Sequence, residues 1–201
     1  MVDVEVLAFD RWSTADITVD DPGLKDYITL EPTIVPKTGA KYAGNRFHKS
    51  KIFIVERLIN KLMTPGHKGK KHHKSSGHVT GSKQNAFNIV KKTLILLEQK
   101  TNKNPLEVLV KAIENAAPRE EIITIEYGGA RYPKAVESAP QRRVDLVLRY
   151  FVQGAYARSF DSKVPAEKAL ADEILAAYQQ SGSSFAISKK QEVERQADSS
   201  R

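Results

Sequence analysis

The sequence predicts a mainly α-helical fold: a bundle of about six helices, with a β-hairpin inserted between the third and fourth and an extended N-terminal arm in front. Three observations predict it. Apolar residues recur at helical spacing through most of the chain after residue 51. The spacing drops to two once, between residues 120 and 138. Before residue 37, Pro22, Pro32 and Pro36 interrupt any helix.

In residues 1–50, Val2, Val4 and Val6 alternate, and Ile28, Leu30, Ile34 and Val35 form a second extended apolar run, so this stretch reads as an arm. A first helix is predicted at about Lys51–Met63, where Ile52, Val55, Ile59 and Leu62 share one face, and Thr64-Pro65-Gly66 stops it. A second runs over about Lys83–Glu98, with Ala86, Val90, Leu94 and Leu97 inward. The third opens at Asn104-Pro105-Leu106-Glu107. Asn is a good N-cap, Pro suits the first turn, and an acid follows three residues after the cap. Leu106, Leu109, Val110 and Ile113 give its buried stripe, and Pro118 ends it.

The period of two follows. Ile123 and Ile125 lie on one side of a strand, Ile122 and Thr124 on the other, and Gly128-Gly129 turns it into a return strand over Arg131–Glu137. A two-stranded ribbon is marginal alone, so it must pack on the helices or project onto a partner. A fourth helix starts near Pro140, with Val144, Val147, Leu148, Phe151 and Ala155 on its apolar face. A fifth runs from Pro165 to about Gln180, with Leu170, Ile174, Ala177 and Tyr178 inward, and a last amphipathic piece covers Phe185–Ala197. The organisation expected is an arm, 1–50, and a helical nucleic-acid-binding domain, 51–201, carrying the ribbon at 120–138.

Composition narrows the function. The chain has no Cys, which removes disulfide scaffolds, thiolate metal sites and thiol catalysis. No run of about 18 apolar residues suggests a membrane span, and the N-terminus has no basic-then-apolar leader. A soluble, cytoplasmic protein is expected.

Charge is distributed unevenly over the 201 residues, whose net charge is +8. Residues 1–31 hold 8 acidic and 2 basic side chains, residues 32–97 hold 14 basic and 1 acidic, and the rest is nearly balanced. A surface of that kind attracts polyanions and releases their counterions. Nucleic acid is favoured over membrane because no Trp/Phe/Leu-rich insertion face accompanies the cations. In KTGAKYAGNRFHKS, residues 37–50, Tyr42 and Phe47 are interleaved with Lys41, Arg46 and Lys49, with Lys51 next. That mixture suits phosphate contacts together with base or sugar stacking. A second basic stretch, residues 67–83, contributes Lys68, Lys70, Lys71, Lys74 and Lys83.

Other chemistry is weakly supported. His67, His72, His73 and His78 are the obvious metal candidates, but lysines crowd the same loop and repel a dication, so no metal and no cofactor are expected. Glu120, Glu121 and Glu126 read as a charged outer face rather than as acid/base catalysts, and no nucleophile-elbow, zinc-protease or nucleotide-loop motif occurs. The chain is not expected to be an enzyme. Arg131, Lys134, Arg142 and Arg143 bracket the return strand and the fourth helix's start, and arginine suits bidentate phosphate contact. Some of them can instead pair with Glu137 or Asp145. Tyr127, Gly128 and Gly129 at the ribbon tip either reach a nucleic-acid strand or simply make the turn.

In this order, IFIVERLINKLM, AFNIVKKTL, NPLEVLVKAIENAAPREE, YGGARYPKAVESAPQRRVDLVLRYFVQGA and ALADEILAAYQQSGSSFAISKKQEVERQA resemble the family of small ribosomal subunit protein seven over about residues 50–201. The most specific pattern comprises Gly128, Gly129, Tyr132, Val136, Glu137, Pro140, Arg142 and Arg143. FDRWS and YITL in the arm look like the archaeal and eukaryotic branch. The resemblance implies a place in the small-subunit head and binding to the 3′ major domain of small-subunit ribosomal RNA, whose folding the family helps nucleate. It also implies a ribbon near exit-site tRNA and messenger RNA, with small-subunit proteins nine and eleven as neighbours. Carried over by position, Tyr127, Gly128, Gly129 and Arg131 would face the exit site, and Arg142 and Arg143 would grip the RNA. The bacterial branch has a Gly-Lys-Lys between the first two helices. Here either Gly69-Lys70-Lys71 or Gly81-Ser82-Lys83 matches it. The acidic arm is expected to meet a basic neighbour or to fold back on the basic segment. Two other readings are an architectural DNA-binding protein, whose ribbon would embrace a duplex, and a histidine metal enzyme.

Overall fold

The computed structural model describes residues 6–66 and 79–201, with Lys41 and Tyr42 as backbone only. Its regular elements are α1 (Ile54–Leu62), α2 (Lys83–Thr101), α3 (Pro105–Ala116), β1 (Glu120–Tyr127), β2 (Ala130–Glu137), α4 (Pro140–Ser159), α5 (Ala166–Tyr178) and α6 (Phe185–Asp198). Short 3-10 turns at Lys25–Tyr27, Lys41–Gly44 and His48–Lys51 punctuate the arm. The expected helical bundle with its hairpin between α3 and α4 is the architecture observed.

Local chemistry sets most boundaries. The Ser82 hydroxyl accepts from the Asn85 N–H to cap α2, and the Asn104 side chain accepts from the Leu106 N–H, 3.1 Å, to cap α3 with Pro105 behind it. Helix α2 runs three residues beyond the expected Glu98. It stops where Asn102 turns left-handed, φ 53°, and donates its N–H to the Glu98 carbonyl. Helix α1 starts three residues later than its apolar pattern suggests. Phe53 is non-helical and bridges Thr29, and the Ile54 N–H donates to the Thr29 carbonyl, 3.0 Å. Pairing with the arm thus takes the backbone that a longer helix would use.

The hairpin has a two-residue turn. Tyr127 faces Ala130 across it, and Gly128 and Gly129 take φ of 56° and 82°. Both signs are those of the mirror-image turn that fits strand twist, and glycine adopts them at no steric cost. The base of the ribbon packs on α6. Beyond Ile122 it projects: Ile123, Ile125, Tyr132 and Tyr127 are exposed, the last by 79%.

Helix α5 lies centrally, against α2, α3 and α4. Its Ala169, Ala171 and Ala177 are fully buried, which lets the neighbouring backbones approach. At the closest point Gly154 of α4 faces Glu173 of α5 and Phe185 of α6, where an added Cβ would sit 2.9 Å from Glu173 Cδ. The core runs through Leu58, Leu94, Leu109, Ile113, Phe151 and Leu170, and the predicted inner faces of α2, α3 and α4 are all on it. Tyr178 is only half-buried, at its edge.

The arm shares this core. Ala8, Trp12, Ile17, Leu24 and Ile28 belong to the same apolar cluster, and the Asn104 amide donates to the Ser13 carbonyl. The later part of its apolar run does not join it, since Ile34 and Val35 are exposed.

Candidate nucleic-acid interface

The basic segment keeps its one acid inside. Glu56 is 0% exposed, and its Oε1 accepts from the Thr38 N–H (2.8 Å), the Thr38 hydroxyl (3.0 Å) and the Lys83 ammonium (3.0 Å). Residues 32–97 therefore present no carboxylate to solvent, and Lys83 is half spent on the interior. Lys49 is likewise engaged, with Asp145. Arg46 and Lys51 are exposed and have no ion-pair partner among the described residues. The Arg46 guanidinium lies over the ring of exposed Phe47, 5.9 Å from its centroid, so a cation and an aromatic face are displayed together. The side chain of Lys41 lies outside the described residues, as do Lys68, Lys70, Lys71, Lys74 and the four loop histidines. Among the described residues no cluster of three or more metal-ligating side chains occurs.

The arginine pair at the start of α4 is divided between two jobs. Arg143, expected at the RNA surface, is only 8% exposed. It donates to Asp21 Oδ2 at 2.8 Å and to the Pro118 carbonyl at 3.1 Å, so in this structure it ties the arm to the end of α3. Burial pushes the Asp21 carboxyl up. The hydrogen bonds from Arg143 and the Gly23 N–H, with the charges of Arg143 and Arg119, outweigh that and leave it below the ordinary aspartate value. Arg142 is exposed, and its Nε donates to both oxygens of Glu121, at 2.7 and 2.8 Å. That bond raises the guanidinium's pKa, against a smaller opposing effect of burial. Neither arginine pairs with Glu137 or Asp145.

Next to Glu121, both oxygens of Glu120 accept from a single nitrogen, Nη2 of Arg201, at 2.6 and 2.7 Å. Successive strand residues point to opposite faces. The ribbon base is thus gripped on one face from α4 and on the other from the residue beyond α6. Glu126 meets Arg131 across the ribbon at 3.5 Å. Lys134 is exposed and without an ion-pair partner among the described residues. Gly128, Gly129 and Tyr127 sit at the exposed tip.

The arm folds back on the body: its backbone at Tyr27 and Thr29 meets the basic segment, while its carboxylates at Asp20 and Asp21 pair with α3 and α4. Asp20 pairs with Lys111 at 2.6 Å, Asp21 with Arg143, and the N–H groups of Asp20 and Asp21 donate to Glu114. Cations that sequence reasoning did not single out are Arg57 and Lys61 of α1 and Arg149 of α4. The available signal was the i, i+3, i+4 stripe Arg57, Asn60, Lys61, opposite the apolar face of α1.

Comparison with known proteins agrees with this frame. The family model for ribosomal protein S7p/S5e matches residues 24–201. The small ribosomal subunit protein uS7 of Nanoarchaeum equitans is 54% identical over 193 residues, 96% of this chain and 98% of that protein. The protein of the same name from Archaeoglobus fulgidus is 46% identical over 197 residues, 98% of this chain and 96% of that protein. The likeness therefore includes most of the arm as well as the helical body, and both relatives are archaeal. The chain belongs to the ribosomal protein S7p/S5e family and is a structural, non-enzymatic constituent of the small ribosomal subunit.

Proposed function

We propose that the chain binds the 3′ major domain of small-subunit ribosomal RNA and nucleates folding of the subunit head in the cytoplasmic ribosome. The observation that carries this reading is the burial of Glu56, the only acid among residues 32–97, which leaves the cations of that segment with no carboxylate of its own exposed beside them. Helical packing fixes that segment relative to the ribbon. Binding one arrangement of the RNA better than others shifts the population toward it. Such RNA is met through shape, phosphates and 2′-hydroxyls more than through a groove code.

Arg46, Lys51, Lys134 and Lys41 are the RNA contacts this reading favours, with Lys68, Lys70, Lys71 and Lys74 of the second basic stretch. Lys49, Lys83 and Arg142 contribute from the edges of their internal ion pairs, and Arg143 supports the interface from inside. Tyr127, Gly128, Gly129 and Arg131 at the ribbon tip face exit-site tRNA and messenger RNA, with small-subunit proteins nine and eleven as neighbours. The arm, 1–50, and the helical RNA-binding body, 51–201, share one apolar cluster, and the arm adds its own contacts to the interface through Lys41, Arg46 and Lys49.

The test is competition between a transcript of the 3′ major domain and duplex DNA of matched length at equal salt. Preference for the transcript by an order of magnitude or more is expected. Equal affinity would replace this reading with an architectural DNA-binding one.

A further inference from the structure

A cleft of about 340 Å3 opens between the His48–Lys51 turn, α1 and α4. Its polar lining is Lys49, Arg57, Asn60, Lys61, Asp145 and Arg149. We propose that this cleft is a built site for a single phosphodiester group of RNA, received by Lys61 and Arg149 and framed by Lys49 and Arg57, which Asp145 holds in place. The inference rests on the ribosomal-RNA reading and names a site within it.

The charge balance is lopsided: four cations line the cleft against one carboxylate. That carboxylate is fully used. Asp145 Oδ2 accepts from Lys49 and Oδ1 accepts from Arg57 at 3.0 Å. Arg57 is buried and is anchored a second time by donating to the Tyr27 carbonyl, 2.8 Å. These two cations are therefore fixed before any ligand arrives, which lowers the ordering cost of binding.

Lys61 and Arg149 face the same space from different helices and have no hydrogen-bond or ion-pair partner among the described residues. Burial pulls the Lys61 ammonium below the ordinary lysine value, and the charges of Arg149 and Lys49 pull it further. Only Asp145 opposes them. An anion seated between Lys61 and Arg149 removes that repulsion.

Phosphate suits the donor set better than a carboxylate does. Its oxygens point in several directions and accept at once from the Arg149 fork, the Lys61 ammonium and the Asn60 amide. The apolar floor, Ile52 and Leu148, offers a surface for a ribose. Lys51, on the same turn as Lys49, is exposed at the rim, where the continuing backbone would pass.

Two measurements on the full chain test the site. In the first, binding to the 3′ major domain transcript is titrated with salt for the unaltered protein, for Lys61→Gln/Arg149→Gln, and for Lys163→Gln, an exposed control on the loop before α5. One lost phosphate contact changes the slope of log K against log salt by roughly 0.7–0.9. The double variant is expected to lose about that much, and the control nothing. An unchanged slope, or a loss twice as large, overturns the single-phosphate site while leaving RNA binding intact.

In the second, inorganic phosphate is titrated against chloride at equal ionic strength while the Lys61 and Arg149 side-chain resonances are followed. Saturable shifts with phosphate alone support the site, and their absence sinks it. If the unaltered protein ignores the transcript, the ribosomal-RNA reading fails, and the phosphate titration still decides the cleft.

Discussion

Replacing Asp21 by Asn removes one charge and keeps the side chain's shape. The Asn Oδ1 still accepts from the Gly23 N–H, so the local turn survives. What is lost is the anion facing Arg143, which remains 8% exposed and held by the Pro118 carbonyl. Stranding a fully buried charge costs about 3–5 kcal/mol. The Asp21 side chain is 23% exposed, so water compensates in part, and we place the cost at about 2–3 kcal/mol, within the range for hydrogen bonds to charged groups. For a chain of this length that is a fall in Tm of roughly 5–10 °C.

The assay is thermal unfolding across pH. The folded Asp21 titrates below its ordinary value of 3.8, so its contribution is present above that pH and disappears as pH falls through the lower folded value. The gap between the two proteins should therefore be full at pH 7 and close under acid. A Tm at pH 7 that does not move would show that Arg143 is solvated rather than tied to the arm.

Three further outcomes follow from the packing. Leu109→Ala, at a fully buried position of α3, should cost about 2–5 kcal/mol, read from the urea midpoint, and a smaller loss would mean that the α3 face collapses to fill the hole. Gly154→Ala forces a Cβ to within 2.9 Å of Glu173 Cδ and 3.0 Å of Phe185 Cβ and should destabilise by about 1–3 kcal/mol, again by urea melts; a neutral result would show that α4 and α5 can slide apart. Burial holds the Glu173 carboxyl above its ordinary value of 4.5, although Ser184 and the Ala186 N–H donate to it. The native carboxyl therefore loses stability as pH rises from 4.5 to its folded value, and Glu173→Gln should gain relative to it across that window and hold the gain at neutral pH. A pH-independent difference would contradict this.

What could be read from the sequence was what neighbours in the chain decide. The Asn104-Pro105 cap, the Gly128-Gly129 turn and the inner faces of α2, α3 and α4 depend on residues within a few positions of one another, and they stand where the spacing put them. The inward turn of Arg143 was not legible, because its partner Asp21 is 122 residues away. The late start of α1 has the same cause, a bridge from Phe53 to Thr29. The phosphate cleft needs two helices and a turn brought together, so Lys61 and Arg149 look like ordinary surface cations until α1 and α4 are packed. The charge census anticipated a cationic segment, but only the fold shows its single acid facing inward.

The adjacent ion pairs at Glu120 and Glu121 make the ribbon a cantilever on a partly electrolyte-sensitive mount. Arg142 and Arg201 are more than half exposed, so dissolved ions weaken both fixings while the apolar body stays rigid. The ribbon keeps its seat on α6, so salt loosens only the ionic part of its mounting and leaves the bundle undisturbed.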